Sequence, residues 1–277
     1  AGPLLDDQGN LREAGYARRM LPVYDRNDVK GHAMRIKEWD YYLVMNGQFA
    51  LALTIADNSY MGLDSISLLD FWENTQITKS PMRLLPMGST GMPSSSLEGD
   101  SASGGHGYSL LFRREEDQRQ LYAHMERFDG RDALDAHIVL THEPEESMVI
   151  CTPFDKPGHF YFNQKINCLR ASGKVTVGES EYMLDPSDTF AVLDWGRGCG
   201  PTTTPGTGLP PPAWWRGCPS ASTWVTGLET PPQPRKICCS ITERPTSSPR
   251  SVFASPAAAV SAGIWSSGSL PATTAGL

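Results

Sequence analysis

Trp39-Asp40-Tyr41-Tyr42-Leu43-Val44-Met45-Asn46-Gly47-Gln48-Phe49-Ala50-Leu51-Ala52-Leu53-Thr54-Ile55 is the stretch on which the fold turns. A dense aromatic and aliphatic run, Trp39 to Met45, meets Asn-Gly, and a second apolar run returns over Phe49 to Ile55. Aromatic and branched residues suit a pleated, half-buried surface. Asn46-Gly47 is the strongest short hairpin signal, because both residues tolerate the positive φ that a type I′ turn needs. The stretch therefore predicts two antiparallel strands.

The same grammar continues outward. Tyr60–Phe71 reads as a third strand, and Thr75–Ser80 closes that unit. Residues 86–107 carry clustered Pro, Gly and Ser and predict a loop. Strands resume at Tyr108–Arg113. Leu121, Ala123 and Met125 then alternate with Tyr122, His124 and Glu126, the period of two that marks a strand with one buried face. His137–His142, Met148–Cys151 and Phe160–Leu169 follow. Lys174–Val177 and Glu181–Leu184 flank a Gly178-Glu179 turn, and Thr189–Trp195 is the last strand. Residues 1–30 are polar and turn-rich, with a short helical or irregular piece near Leu11–Met20. No segment has a sustained helical period and there is no internal repeat. The expected class is all-β, an antiparallel barrel or sandwich.

Composition breaks at Cys199. Residues 1–198 hold 48 charged residues and 9 prolines; the following 79 hold 7 charged residues, 13 prolines and 22 Ser or Thr. Two domains are expected: a folded β domain, 1–198, and an unstructured tail, 199–277, with Pro210–Pro212 and Pro231–Pro234 forbidding regular strands. The genetic code supplies a reason for the break. Reading each new codon from the last base of one and the first two of the next turns Trp214-Trp215 into Val, Trp224-Val225 into Gly and Cys238-Cys239 into Leu. Gly198 to Thr242 then reads as aromatic and apolar residues interleaved with Gly, Asn and Asp, which is strand-and-turn composition. The tail is expected to be a frameshifted translation.

Charge and cysteines exclude several function classes. The chain carries a net charge of −7 and has no basic stripe, so nucleic acid is not an expected partner. No run is long enough to span a membrane. Only Cys151 and Cys168 fall within residues 1–198, which makes no disulfide framework, and a reducing cytoplasm is the expected location. The six histidines lack any paired metal-ligand spacing, and His137 and His142 fall on opposite faces of a strand. No metal or cofactor is expected. Ser94–Ser96 near Asp100 and His106 lack the elbow of a serine hydrolase, and Gly88-x-x-Gly91 lacks the Lys-Ser/Thr of a phosphate loop.

An ordered set of motifs carries a resemblance. Arg35-Ile36-Lys37-Glu38-Trp39-Asp40-Tyr41-Tyr42 leads to Leu53-Thr54-Ile55-Ala56-Asp57-Asn58-Ser59-Tyr60-Met61-Gly62. Then come Leu84-Leu85-Pro86-Met87-Gly88, Met92-Pro93-Ser94-Ser95-Ser96-Leu97-Glu98-Gly99-Asp100, Phe160-Tyr161-Phe162-Asn163-Gln164-Lys165-Ile166-Asn167-Cys168 and Val192-Leu193-Asp194-Trp195-Gly196-Arg197-Gly198. Together they closely resemble the bacterial family catalogued as domain of unknown function 2804, over nearly all of residues 1–198 and, through the shifted frame, on to Thr242. The resemblance implies a lipocalin-like (calycin-type) architecture of paired β-barrels, akin to carotenoid hydratases and tocopherol cyclases, here with the second barrel incomplete. Barrels of that kind take apolar or amphipathic ligands in their mouths. Loss of the C-terminal strands implies that this copy is inactive.

The polar residues of these motifs supply a candidate site. Asp40, Asp57 and Asp194 sit beside aromatics, where partial desolvation would raise a carboxyl toward general-acid range. They are the candidate catalytic residues. Trp39, Tyr41, Tyr60, Lys165, Asn167, Trp195 and Arg197 are the candidate ligand contacts. The bland alternative is a buried salt-bridge network that fixes the barrel corners. Two functions fit: an enzyme of hydratase, isomerase or cyclase type acting on an apolar or lipid-like molecule, or a non-catalytic binder of a hydrophobic or glycan-like ligand.

Overall fold

In the computed structural model the described residues are 2–200, and the statements below concern these; the expected tail lies outside them except for Cys199, which the last strand takes up, and Gly200, and the frameshift falls outside. The strands run β1 (Gly2–Pro3), β2 (Gly15–Ala17), β3 (Pro22–Val23), β4 (Ile36–Met45), β5 (Phe49–Asp57), β6 (Met61–Asp70), β7 (Thr75–Lys79), β8 (Met82–Leu84), β9 (Ser101–Gly105), β10 (Tyr108–Arg114), β11 (Arg119–Met125), β12 (Leu134–Thr141), β13 (Met148–Pro153), β14 (Phe160–Val177), β15 (Ser180–Leu184) and β16 (Phe190–Cys199). Two short 3₁₀ turns, Arg26–Asp28 and Ala33–Arg35, are the helical pieces among them. The piece expected near Leu11–Met20 holds the short strand β2, which pairs with β13.

One antiparallel sheet of 14 strands carries the order β7-β6-β5-β4-β16-β14-β12-β11-β10-β9. It curls into a half-barrel. The curl is visible in its contacts: Ser101 and Ser103 of β9, at one end of the order, hydrogen-bond to Asp40 of β4 and Asp64 of β6, near the other. This is the all-β class that the alternation predicts.

The β4–β5 hairpin forms where expected, but its turn works differently. Neither Asn46 nor Gly47 adopts positive φ. Instead the Asn46 side-chain oxygen accepts from the Gln48 and Phe49 N–H groups at 2.9 and 3.1 Å, an Asx-type closure. The β14–β15 turn keeps positive φ at Gly178, the first central residue, as a type II′ turn requires. The loop expected over 99–107 contains β9, whose small side chains let it lie close inside the curl.

Strand β14 is the spine. Its first half pairs with β13 and β16, and its second half with β12 and β15. Its pairing with β16 shifts register between Ile166 and Leu169, where Cys168 takes φ 63°. One extra residue at this bulge keeps Ile166 and Leu169 both facing inward, since both are buried.

Alternation decides the two faces. On β4, Ile36, Glu38, Asp40, Tyr42 and Val44 are buried and their neighbours half-buried, so the former line the inside. Leu51, Leu53, Ile55, Ile66, Leu121, Ile138, Phe162 and Leu193 complete an apolar interior. Strand β5 departs from the pattern. Its outward residues Ala50, Ala52 and Ala56 are buried as well. A strand apolar on both faces is characteristic of a sheet covered on both sides.

Candidate functional site

The residues singled out in the sequence separate onto the two faces. Asp40 adjoins Trp39 and Tyr41 in the chain, and Asp194 adjoins Trp195, but the pleat sends neighbours to opposite faces. Cross-strand register then assembles two clusters. Trp195 opposes Asp40 and Gln164 inside, while Asp194 opposes Tyr41 and Lys165 outside.

The inner cluster is a connected polar network. Arg197, 0% exposed, donates to Asp40 Oδ1 at 2.9 Å, to the Trp39 and Gly196 carbonyls at 2.9 Å, and to the Pro93 carbonyl at 2.9 and 3.2 Å. Its guanidinium lies 4.2 Å above the Trp195 ring. Ser101 takes the other Asp40 oxygen. Asp57 accepts from the Ser59 and Gly88 N–H groups and from Thr90 Oγ1, and so ties the 86–92 loop to the end of β5. Asp64 accepts from Arg83, Ser103 and Tyr108. Glu38 accepts from Tyr24 at 2.8 Å and pairs with Arg26; burial raises its pKa above the usual carboxylate value, against the pull of Arg197 and Arg26.

The space among these groups is small. The cavity bounded by Asp40, Tyr42, Ser96, Ser101, Arg119 and Trp195 measures about 10 Å³, room for one water molecule. The inner aspartates are therefore committed to internal bonds, and this network has the geometry of the structural alternative.

The outer cluster is different. Asp194 Oδ1 accepts from Asn163 Nδ2 at 2.7 Å and Trp39 Nε1 at 3.3 Å, and its Oδ2 pairs with Lys165. Lys165 and Asp194 keep about a fifth of their side chains exposed (21% and 19%), which leaves the pair within reach of a ligand. Trp39 stacks on Tyr161 across β16, ring centres 5.8 Å apart. The stack is possible because Gly196 lies between them: a Cβ there would run into the Trp39 indole. Asn163 Oδ1 is buried and has no hydrogen-bond partner. Burial and the Asp194 charge hold the Tyr41 phenol far above its ordinary pKa, so the hydroxyl stays protonated at neutral pH.

Two expected contacts stand apart. Tyr60 is exposed at the β5–β6 turn, and Asn167 is exposed at the β14 bulge. Tyr161 and Asn163 were not among the candidate contacts. Their parity with Lys165 along β14 is the signal that places them on the same face. Among the described residues no group of three or more His, Cys, Asp or Glu is placed to hold a metal, and no helix is long and apolar enough to cross a membrane.

Fold and site together define a curled antiparallel half-barrel with an apolar interior that encloses a polar network, and an aromatic-carboxylate cluster on its outer face. The chain belongs to the family described as Domain of unknown function (DUF2804), whose model matches residues 1–205. Among curated proteins nothing matches. Among solved structures the chain is similar to a putative AttH from Nitrosomonas europaea (14% identity, TM-score 0.43, 65% of this chain and 55% of that one). It is also similar to kievitone hydratase from Nectria haematococca (11%, 0.32, 69% and 59%) and to CghA (13%, 0.35, 71% and 54%). The chain thus spans a little over half the length of these structures.

Proposed function

We propose that the chain is a small-molecule enzyme of the hydratase, isomerase or cyclase type, working on an apolar or lipid-like ligand at the outer cluster, with Asp194 as its proton-handling carboxylate. The observation that carries this reading is the division of the three aspartates: Asp40 and Asp57 are enclosed by internal donors, while Asp194 lies beside an aromatic wall and a lysine at a partly open surface. All three groups bonded to Asp194 are donors. Its role is that of an acceptor, a base that takes a proton or orients water, rather than the protonated acid expected from the sequence. Tyr41 and Lys165 are the hydrogen-bond donors that polarise a ligand oxygen, and the proton taken by Asp194 returns to the ligand from the carboxyl itself. The orphan Asn163 Oδ1 offers an acceptor for a ligand hydroxyl.

The second reading, a non-catalytic binder, rests on the Trp39–Tyr161 wall, which suffices to hold an apolar body. One experiment separates the two. Binding is followed with the fluorescent polyene parinaric acid, and turnover by loss of conjugated absorbance across a panel of enones and polyenes. Trp39→Ala should weaken binding under either reading. Asp194→Asn with binding kept and turnover lost supports the enzyme. Binding with no turnover of any panel member supports the binder, and absence of binding sinks both.

A further inference from the structure

A second groove lies on the other half of β14, away from the Asp194 cluster. It runs across the outer face of β10, β11, β12 and β14 and holds about 330 Å³, at the small end of ligand sites. Register builds it in two rows. One row sets Ser109, His124 and Asp135 side by side; the next sets Tyr122, His137 and Lys174 side by side.

Each row has a defined geometry. His124 Nδ1 lies 2.7 Å from Asp135 Oδ1, with both side chains well exposed. Tyr122 and His137 stack almost parallel, ring centres 4.5 Å apart and planes 9° apart. Gln120 braces the pair by accepting from the Tyr122 hydroxyl and lying 3.4 Å from His137 Nε2. Two flat rings are thus held rigid at a solvent-facing groove, where their ordering is already complete before any ligand arrives.

We infer that this groove binds a neutral polyhydroxylated ring, a single saccharide unit. An aromatic face offers the apolar C–H side of a sugar a surface to lie on, and the adjoining row offers alternating acceptors and donors for its hydroxyls. Charge disfavours an anion: Asp135 faces His124, and Lys174 lies 3.6 Å from Glu181, so no unpaired lysine or arginine lines the groove. The volume suits one ring rather than a lipid. Ser109, His124 and Asp135 also lie in the order of a nucleophilic triad. No hydrogen bond joins Ser109 to His124, and β10 is laddered on both sides, so backbone N–H groups around Ser109 are not free to hold an oxyanion. The row binds and does not cleave.

The test is saturation-transfer NMR on the full chain with glucose, galactose, N-acetylglucosamine and glucose 6-phosphate. At least one neutral sugar should bind in the millimolar range. Tyr122→Leu and Asp135→Asn should each weaken it about tenfold or more, with circular dichroism unchanged and parinaric acid binding unaffected. In the unmodified chain the ring resonances of His124 and His137 should move as that sugar is added, a readout that does not depend on any variant folding. No binding by any neutral sugar, still histidine resonances, a sugar held equally by the variants, or preference for the phosphate would each overturn the assignment.

Discussion

Arg197→Met is expected to be among the most damaging single changes in the β domain. Arg197 is fully buried, and its guanidinium makes charge-assisted bonds to Asp40 and to three backbone carbonyls. Methionine keeps an unbranched stem and removes the guanidinium that lies over Trp195. Asp40, 6% exposed, is then left with Ser101 as its remaining side-chain donor. Breaking a buried pair by deleting one partner costs about 3–5 kcal/mol, a large part of the roughly 5–15 kcal/mol that holds a domain folded. Urea denaturation followed by tryptophan fluorescence and by far-UV circular dichroism reads this. With a slope of about 2 kcal/mol/M the midpoint should fall by about 2 M. Asp40→Leu added to Arg197→Met should recover about 1–3 kcal/mol, because an apolar pair of similar volume has no stranded charge. A single variant that loses less than about 1 kcal/mol, or a double variant no better than the single, refutes the view that this pair is a matched internal network.

Three further outcomes are expected. Burial pushes the Cys151 thiol up to about 12 and raises Cys199 as well, so iodoacetamide at neutral pH should leave both unmodified in the native chain and label them after denaturation, as site-resolved mass spectrometry will read; native labelling of Cys151 contradicts its burial. His159 is held below its ordinary pKa by burial, with the Lys156 and Arg35 charges adding to it, so the unfolded chain binds a proton that the folded chain refuses; stability should fall as pH drops through about 6.5, and an NMR titration that places the ring at or above that value refutes the assignment. Gly196→Ala should push the Trp39 indole off Tyr161 at a cost of about 1–3 kcal/mol, seen as a lost near-UV tryptophan band and a lower thermal midpoint; an unchanged band would mean that the stack does not depend on Gly196.

The strands were legible because their cause is local. Alternation over Leu121–Met125 and the apolar returns on each side of Asn46-Gly47 and Gly178-Glu179 need no knowledge of distant partners, and β4, β5, β11, β14 and β15 form there. β9 was hidden because Ser101–Gly105 has no side-chain pattern of its own; β10 beside it and the acceptors Asp40 and Asp64 make it a strand. The candidate site was legible in its residues and not in its grouping. Parity alone separates Asp40 from Trp39 and Tyr41, yet joining Asp194 to Trp39, Asn163 and Lys165 requires the β14–β16–β4 register, which the sequence does not print. The Tyr122–His137 stack needs the β11–β12 register in the same way.

The division between faces also bears on where activity lies. The sequence places Asp40, Asp57 and Asp194 beside aromatics without assigning them to one face of the sheet. Here the 86–105 segment enters the curl: Pro93, Ser96, Ser101 and Ser103 bond to Arg197, Gln164 and Arg119, Asp40 and Asp64. What remains beside Asp40 holds a water molecule and nothing larger. The segment therefore fixes the curl around Asp40, and the proposed function places its ligand on the outer face. There Gly196 and the alanines of β5 keep the surface low, Trp39 and Tyr161 wall it, and Asp194 and Lys165 supply its charge. Filling that face by Ala56→Leu, which opposes Trp39 on β5 and meets the inner network through its backbone carbonyl, 3.4 Å from Arg83, should weaken parinaric acid binding at a stability cost of no more than about 1–3 kcal/mol in urea denaturation. Binding that survives Ala56→Leu unchanged would move the ligand off this face and the proposed function with it.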